Sequence, residues 1–138
     1  MTDSPATDLT AASRFVAAIG FDPVEVSGTR VSGSLDVGPE QHTPWGVVHG
    51  GVYAAAVESA ASIGASAAVA GRGQFAVGVN NSTDFLRPMT TGRLEVVAEP
   101  VQQGRTLQLW QVTLTRVEDG KLVARGQVRL QNVPLPGA

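Results

Sequence analysis

"GVVHGGVYAAAVESAAS", residues Gly46 to Ser62, is the stretch on which the fold turns. From His49 onward its residues are almost all Ala, Val, Ser, Gly or Tyr, and the only charge among them is Glu58. The run continues without a breaker to about Ala70, and "GRG" at 71–73 ends it, so the pattern predicts one long helix from His49 to about Ala70. Small side chains let other elements approach closely, so this helix is expected to be buried nearly all round. A single carboxylate on such a helix is expected to serve a site rather than a solvated face.

The flanking sequence supplies the wrapping. Downstream, the period changes to two. Gln74–Leu86, Leu94–Val101, Thr106–Val117 and Lys121–Leu130 read as four consecutive antiparallel strands, with turn chemistry at Pro88–Gly92, Gln103-Gly104 and Asp119-Gly120. Upstream, "TAASRFVAAI" (10–19) reads as a short helix with Thr10 as its cap and Gly20 as its stop, followed by a strand pair around Val24–Val26 and Thr29–Val37. Gly38–Gly46 is a loop. Residues 1–9 read as a flexible arm and 10–138 as a single domain. One sheet of this size must cover its apolar face, and the small-residue helix is the element available to fill it. Trp45 and Trp110 are expected in core or interface packing.

Composition narrows the function classes. The chain has 138 residues, 43% of them hydrophobic, which is enough for one packed domain. A net charge of −2 with no basic stripe argues against nucleic acid. The absence of cysteine removes thiolate nucleophiles and Cys metal sites, and the two histidines, His42 and His49, make a poor metal set, so no metal is expected. The N-terminus has neither a basic nor an apolar signal region, and the Ala-rich run is broken by Glu58 and polar residues. The expectation is a cytoplasmic protein with no membrane partner. "GRGQFA" (71–76) follows a helix and precedes a strand, the wrong order for a dinucleotide fingerprint. Asn80 and Asn81 each begin an N-x-S/T pattern, which has no meaning without secretion.

The helix geometry carries the chemistry. His49-Gly50-Gly51 opens the helix, where unpaired N–H groups and the dipole favour developing negative charge, as an oxyanion hole requires. Glu58 lies eight residues beyond Gly50, about 12 Å along the axis. One carbonyl carbon cannot meet both groups of one helix. If both act on one substrate, they come from two subunits related by a two-fold axis, and a symmetric dimer has two composite sites. Ser62, one turn after Glu58, shares its face and can hydrogen-bond the carboxylate or a water.

"HTPWGVVHGGVYAAAVESAAS", "FAVGVNNSTDFLRP" and "QGRT" together resemble the hotdog-fold acyl-CoA thioesterases, over roughly residues 14 to 132. The similarity is greatest to the small phenylacetyl-CoA-type (PaaI-like) branch and, within it, to 4-hydroxybenzoyl-CoA thioesterase. The resemblance implies an α+β hotdog fold, an antiparallel sheet wrapped around a long central helix, with two protomers forming a continuous double sheet and dimers pairing into tetramers. It implies that Glu58 is the nucleophile or general base, that Gly50 donates its N–H to the thioester oxygen from the opposite subunit, and that Ser62 assists. His49 and Gly51 flank that donor. The family's Gln or Asn six residues before the His is here Thr43, with Gln41 and His42 the nearby replacements. Arg87, Arg105 and Thr106 match positions near the coenzyme A phosphates. No cofactor is implied, because coenzyme A is part of the substrate. The expected reaction is hydrolysis of an aromatic acyl-CoA, 4-hydroxybenzoyl-CoA leading. Phenylacetyl-CoA or medium-chain hydrolysis, and acyl-CoA binding without turnover, are the alternatives.

Overall fold

The computed structural model describes residues 13–137. The arm expected over residues 1–9 and the cap expected at Thr10 lie outside the described residues. Helix α1 (Arg14–Ile19) is capped by Ser13, whose hydroxyl accepts from the Val16 N–H at 3.3 Å, and Gly20 closes it at φ +86°. Strands β1 (Phe21–Val26) and β2 (Val31–Val37) follow, then a 3-10 turn (Pro39–Gln41), then helix α2 (Gly50–Val69) and a second 3-10 turn (Ala70–Arg72). Four strands complete the chain: β3 (Gln74–Phe85), β4 (Gly92–Gln103), β5 (Leu107–Arg116) and β6 (Leu122–Pro134). The elements form a six-stranded antiparallel sheet in the order β1-β2-β4-β5-β6-β3, curled around α2, which is the hotdog architecture.

One expectation is corrected. The strands after α2 are not a simple meander: among the described residues β3 pairs only with β6, and β4 pairs with β2 and β5. The 86–91 connector therefore crosses from one edge of the sheet to its interior. The hairpins signalled by Gln103-Gly104 and Asp119-Gly120 do form, with Gly120 at φ +72°. Register shifts at Pro23/Glu25, Gly78/Asn80, Pro100/Gln102 and Leu114/Thr115 bend the strands, as a sheet wrapping a helix requires.

The core lies between the concave sheet face and α2. Trp110, Tyr53, Phe21, Leu35, Leu94 and Leu114 are its largest fully buried side chains. Gly64 lies under Trp110: a Cβ there would overlap the six-membered ring and reach Val31 Cγ2 at 3.0 Å. Trp45, by contrast, is 85% exposed and packs in no core of this chain. The segment Gly50–Arg72 is long and apolar enough to cross a membrane by length and composition, yet 50% of its most apolar window is buried inside the chain.

A buried amide network ties the helix to the sheet. Gln108 Nε2 donates to Ala65 O (3.0 Å) and Asn132 Oδ1 (2.8 Å), and its Oε1 accepts from Trp110 Nε1 at 2.9 Å. Asn132 Nδ2 in turn donates to Arg105 O at 3.1 Å and so holds the β4–β5 turn. Replacing Gln108 by Leu keeps the volume but leaves a buried indole N–H and an amide oxygen unpaired. We expect the urea unfolding free energy to fall by roughly 3 kcal/mol. A loss below about 1 kcal/mol would show that the network is not a stabilising tie.

Candidate active site

The N-terminus of α2 is fixed from both sides. Val48 N–H donates to Met89 O and His49 N–H to Gln41 O, each at 2.8 Å. His49 is the N-cap: its Nδ1 accepts from the Gly51 N–H at 2.8 Å, so in the neutral ring the proton sits on Nε2. Gly51's amide is therefore occupied by the imidazole. Gly50's N–H makes no hydrogen bond among the described residues, and it points out of the positive end of a 20-residue helix. The ring of Phe85 packs against Gly50, where a Cβ would overlap it, and Phe85 also meets Tyr53 with ring centroids 6.0 Å apart. Burial raises the pKa of Tyr53, with the Arg116 charge opposing, and its hydroxyl has no partner among the described residues.

Along α2 one stripe is left open, which corrects the expectation of a helix buried nearly all round. Gly51 and Glu58 are exposed, and Ala55 and Ser62 are half-buried, while Tyr53, Val57, Ala60 and Ala61 on the other side are sealed by the sheet. Within one chain Glu58 faces outward on this stripe. Asn81 on β3 stands against it: Asn81 Nδ2 lies 3.4 Å from Glu58 Oε1 and donates to Ala54 O at 2.9 Å. Thr83 Oγ1 donates to Asn81 Oδ1 at 2.7 Å.

The sequence-predicted residues fall in separate places. A cavity of about 380 Å³ brings together Gln41, His42, His49 and Gly51, with Phe15 and Val52 among its apolar walls. Gly50 and Arg87 line a second, of about 190 Å³, beside Phe85. Ser62 lines a third, against Phe75 and Leu135. Two loop candidates are engaged by the chain itself. Gln41 accepts from Gly38 N–H at 2.9 Å and donates to Ile19 O at 2.9 Å, so its amide organises the loop and is not free to replace the family's Gln. His42 Nε2 is 2.6 Å from Thr90 O, a tie to the β3–β4 connector. The Thr43 hydroxyl accepts from Trp45 N–H in its own turn at 3.2 Å. Arg87 donates to Leu122 O at 3.0 Å, and Arg105 and Thr106 are exposed on the β4–β5 turn. Arg87 follows the end of β3 beside Val123, and Thr106 sits beside Asn132. Nine residues of β6 therefore separate the two basic sites, roughly 30 Å.

Residues 46–123, more than half of the chain, match the sequence profile of the thioesterase superfamily. The chain belongs to this family. It is 46% identical over 133 residues to a Mycobacterium tuberculosis protein named "Putative esterase Rv1847", across 95% of this chain and 94% of that one. The solved structure of that protein superposes with a TM-score of 0.85 at 44% identity, covering 89% and 98% of the two chains. An Arabidopsis thaliana relative, "1,4-dihydroxy-2-naphthoyl-CoA thioesterase 2", is 37% identical over 127 residues, 86% of this chain and 79% of its own. The structure of Haemophilus influenzae thioesterase HI1161 superposes at 0.85 with 26% identity, covering 99% and 94%. This hotdog thioesterase is thus a thioester hydrolase. Asn81, Thr83 and Phe85 are the site-side residues that sequence reading missed. Two asparagines inside a strand, where Asn is disfavoured, were the signal available.

Proposed function

We propose that this thioesterase hydrolyses an aromatic acyl-CoA carrying a hydroxylated ring, of the 4-hydroxybenzoyl or 1,4-dihydroxy-2-naphthoyl kind, at a site completed by a second copy of the chain. The name of the Arabidopsis relative is the observation that carries the acyl class. The apolar cavity beside His49 and Gly51, walled by Phe15, Val52 and Ala55, is consistent with a flat ring.

In this mechanism the thioester oxygen accepts the free Gly50 N–H, and the positive end of α2 stabilises the charge that grows on it. Glu58 of the partner subunit attacks the carbonyl carbon, or takes a proton from a water that does. The tetrahedral species collapses, the C–S bond breaks and the coenzyme A thiolate leaves. Where water attacked, this gives the free acid directly; where Glu58 attacked, water then cleaves the resulting mixed anhydride to release the acid and restore the carboxylate. Ser62 stands one turn from Glu58 on the same stripe, where it can steady the water or the leaving sulfur.

Assembly follows from the edges. Strand β1 is guarded by Pro23, Asp22 and Glu25, whereas β3 offers twelve residues with no Pro, Lys or Arg on an edge that is unpaired among the described residues. Antiparallel pairing of two β3 edges covers the open α2 stripe. It also brings the Arg87 end of one chain beside the Arg105 end of its partner, so two cations that lie far apart in one chain can serve one coenzyme A. Pairing of such dimers into tetramers is part of this proposal.

The test is free-thiol release from a panel of 4-hydroxybenzoyl-, 1,4-dihydroxy-2-naphthoyl-, phenylacetyl- and hexanoyl-CoA. We expect kcat/KM for the hydroxyaryl thioesters to exceed that for hexanoyl-CoA by at least about tenfold. Equal or faster turnover of hexanoyl- or phenylacetyl-CoA would overturn the aromatic assignment.

A further inference from the structure

Strand β3 changes phase part-way along. Its register with β6 skips Val79: Gly78 pairs with Leu130 and Asn80 with Arg129. On β6 the residues that face α2 are Gly126, Val128 and Leu130, all buried. Opposite them stand Thr83, Asn81 and Gly78. The inward positions of β3 are therefore even-numbered before the bulge and odd-numbered after it. Without the bulge, Asn80 and Ser82 would face the helix, and Asn81 and Thr83 would face away.

Three further features commit the re-aimed amide to one orientation. Ala54 O is only an acceptor, so the atom of Asn81 at 2.9 Å from it must be the NH₂ group. Thr83 then supplies the O–H that the opposite amide oxygen requires. Thr83 itself fits only because residue 126 has no side chain: a Cβ there would lie 2.5 Å from Thr83 Oγ1 and 3.1 Å from Ser82 O. The second proton of the NH₂ group is left facing Glu58 Oε1 at 3.4 Å. On the carboxylate's other flank is Gly78, which approaches without crowding it: a Cβ there would be 3.5 Å from Glu58 Cδ.

We propose that Asn81, aimed by the Val79 bulge and locked by Thr83, is the positioning residue that sets the direction of the Glu58 carboxylate. The proposal rests on the reading of Glu58 as the reacting carboxylate. Glu58 has three rotatable bonds and an otherwise open face, so a single fixed donor decides which oxygen is held and which is left free for the substrate. The held oxygen is Oε1, and Oε2 is the one presented to the thioester or its attacking water.

The experiment is steady-state thiol release with the best thioester of the panel, using Asn81→Ala, Thr83→Val and Asn80→Ala, each alone and Asn81→Ala also in an Glu58→Gln background. Asn81→Ala should lower kcat by about 30-fold with KM within about twofold, because misdirection of a reacting group is felt in the chemical step. Thr83→Val, which removes only the locking hydroxyl, should lower kcat by about fivefold, and Asn80→Ala should change it less than twofold. In the Glu58→Gln background, Asn81→Ala should cost nothing further. A kcat within threefold of wild type for Asn81→Ala, a loss expressed in KM alone, a full additional loss in the Glu58→Gln background, or a larger effect at Asn80 than at Asn81 would each overturn the proposal. If Asn81→Ala does not fold, Thr83→Val carries the same test. Failure of the functional reading looks different: Glu58→Gln would then turn over like wild type, whatever the strand variants do.

Discussion

Replacing Glu58 by Gln should lower kcat at least about a hundredfold, close to 2.7 kcal/mol of transition-state stabilisation, while leaving the fold unchanged. The substitution keeps the side chain's size and its acceptor oxygen, so Asn81 Nδ2 still has a partner. What it removes is the negative charge that either role proposed for Glu58, nucleophile or proton acceptor, requires. Stability should move by no more than about 0.5 kcal/mol, because Glu58 is exposed and makes no salt bridge among the described residues. Thiol release by wild type and variant, paired with thermal melting of both, separates the two effects. Turnover within tenfold of wild type would remove Glu58 from the mechanism. A hundredfold loss accompanied by a drop in melting temperature of many degrees would place the residue in the fold instead. A Glu58→Asp variant adds direction: it keeps the charge but withdraws it by one methylene, so its kcat should lie between the two.

The second large effect lies in the core. Gly64→Leu should abolish folding, and even Gly64→Ala should destabilise by about 1–2 kcal/mol net. Helix propensity favours the alanine by about 1 kcal/mol, since glycine is costly in a helix interior. Packing opposes it more strongly, because the new methyl would overlap Trp110, which is fully buried and tied by its indole N–H to Gln108. The ring cannot swing away without breaking that bond and opening the seam with Val31. The decisive measurement is a cycle with Trp110→Leu, which deletes the ring atoms that collide. Against that background Gly64→Ala should become neutral or stabilising by urea unfolding. If alanine destabilises equally with and without the indole, the tight approach of helix to sheet is not what requires glycine there.

The outline of the fold was legible because its signals are local. The breaker-free run after His49, the punctuation at residues 71–73 and the two hairpin turns each lie within a few residues. Gly20 stops α1 as expected. The crossover between β3 and β4 was not legible, since nothing in residues 86–91 states which strand the next one will join. Glu58 stood out by composition alone, and His49 capping α2 follows from its place in the run. The environment of Glu58 did not stand out. Asn81 and Thr83 owe their inward aim to one extra residue at position 79, and a period-two pattern reads the same on either side of a bulge. The engagement of Gln41 and His42 was hidden for a related reason: side-chain amides and imidazoles suit a ligand, but in the loop between β2 and α2 these two hydrogen-bond backbone carbonyls that are distant in sequence.

The unpaired edge of β3 has a further consequence. The same twelve residues that offer backbone hydrogen bonds to a neighbour also carry, on their inner face, the amide that holds Glu58. Whatever occupies that edge bears on the carboxylate's surroundings. A short extended peptide copying residues 75–85 has the complementary hydrogen-bond pattern and no α2 stripe of its own to contribute. If two β3 edges pair as proposed, such a peptide would take the place of the second copy without supplying its Glu58. A strand edge, and not only the pocket that takes the substrate, is thus a place where the proposed site can be disabled.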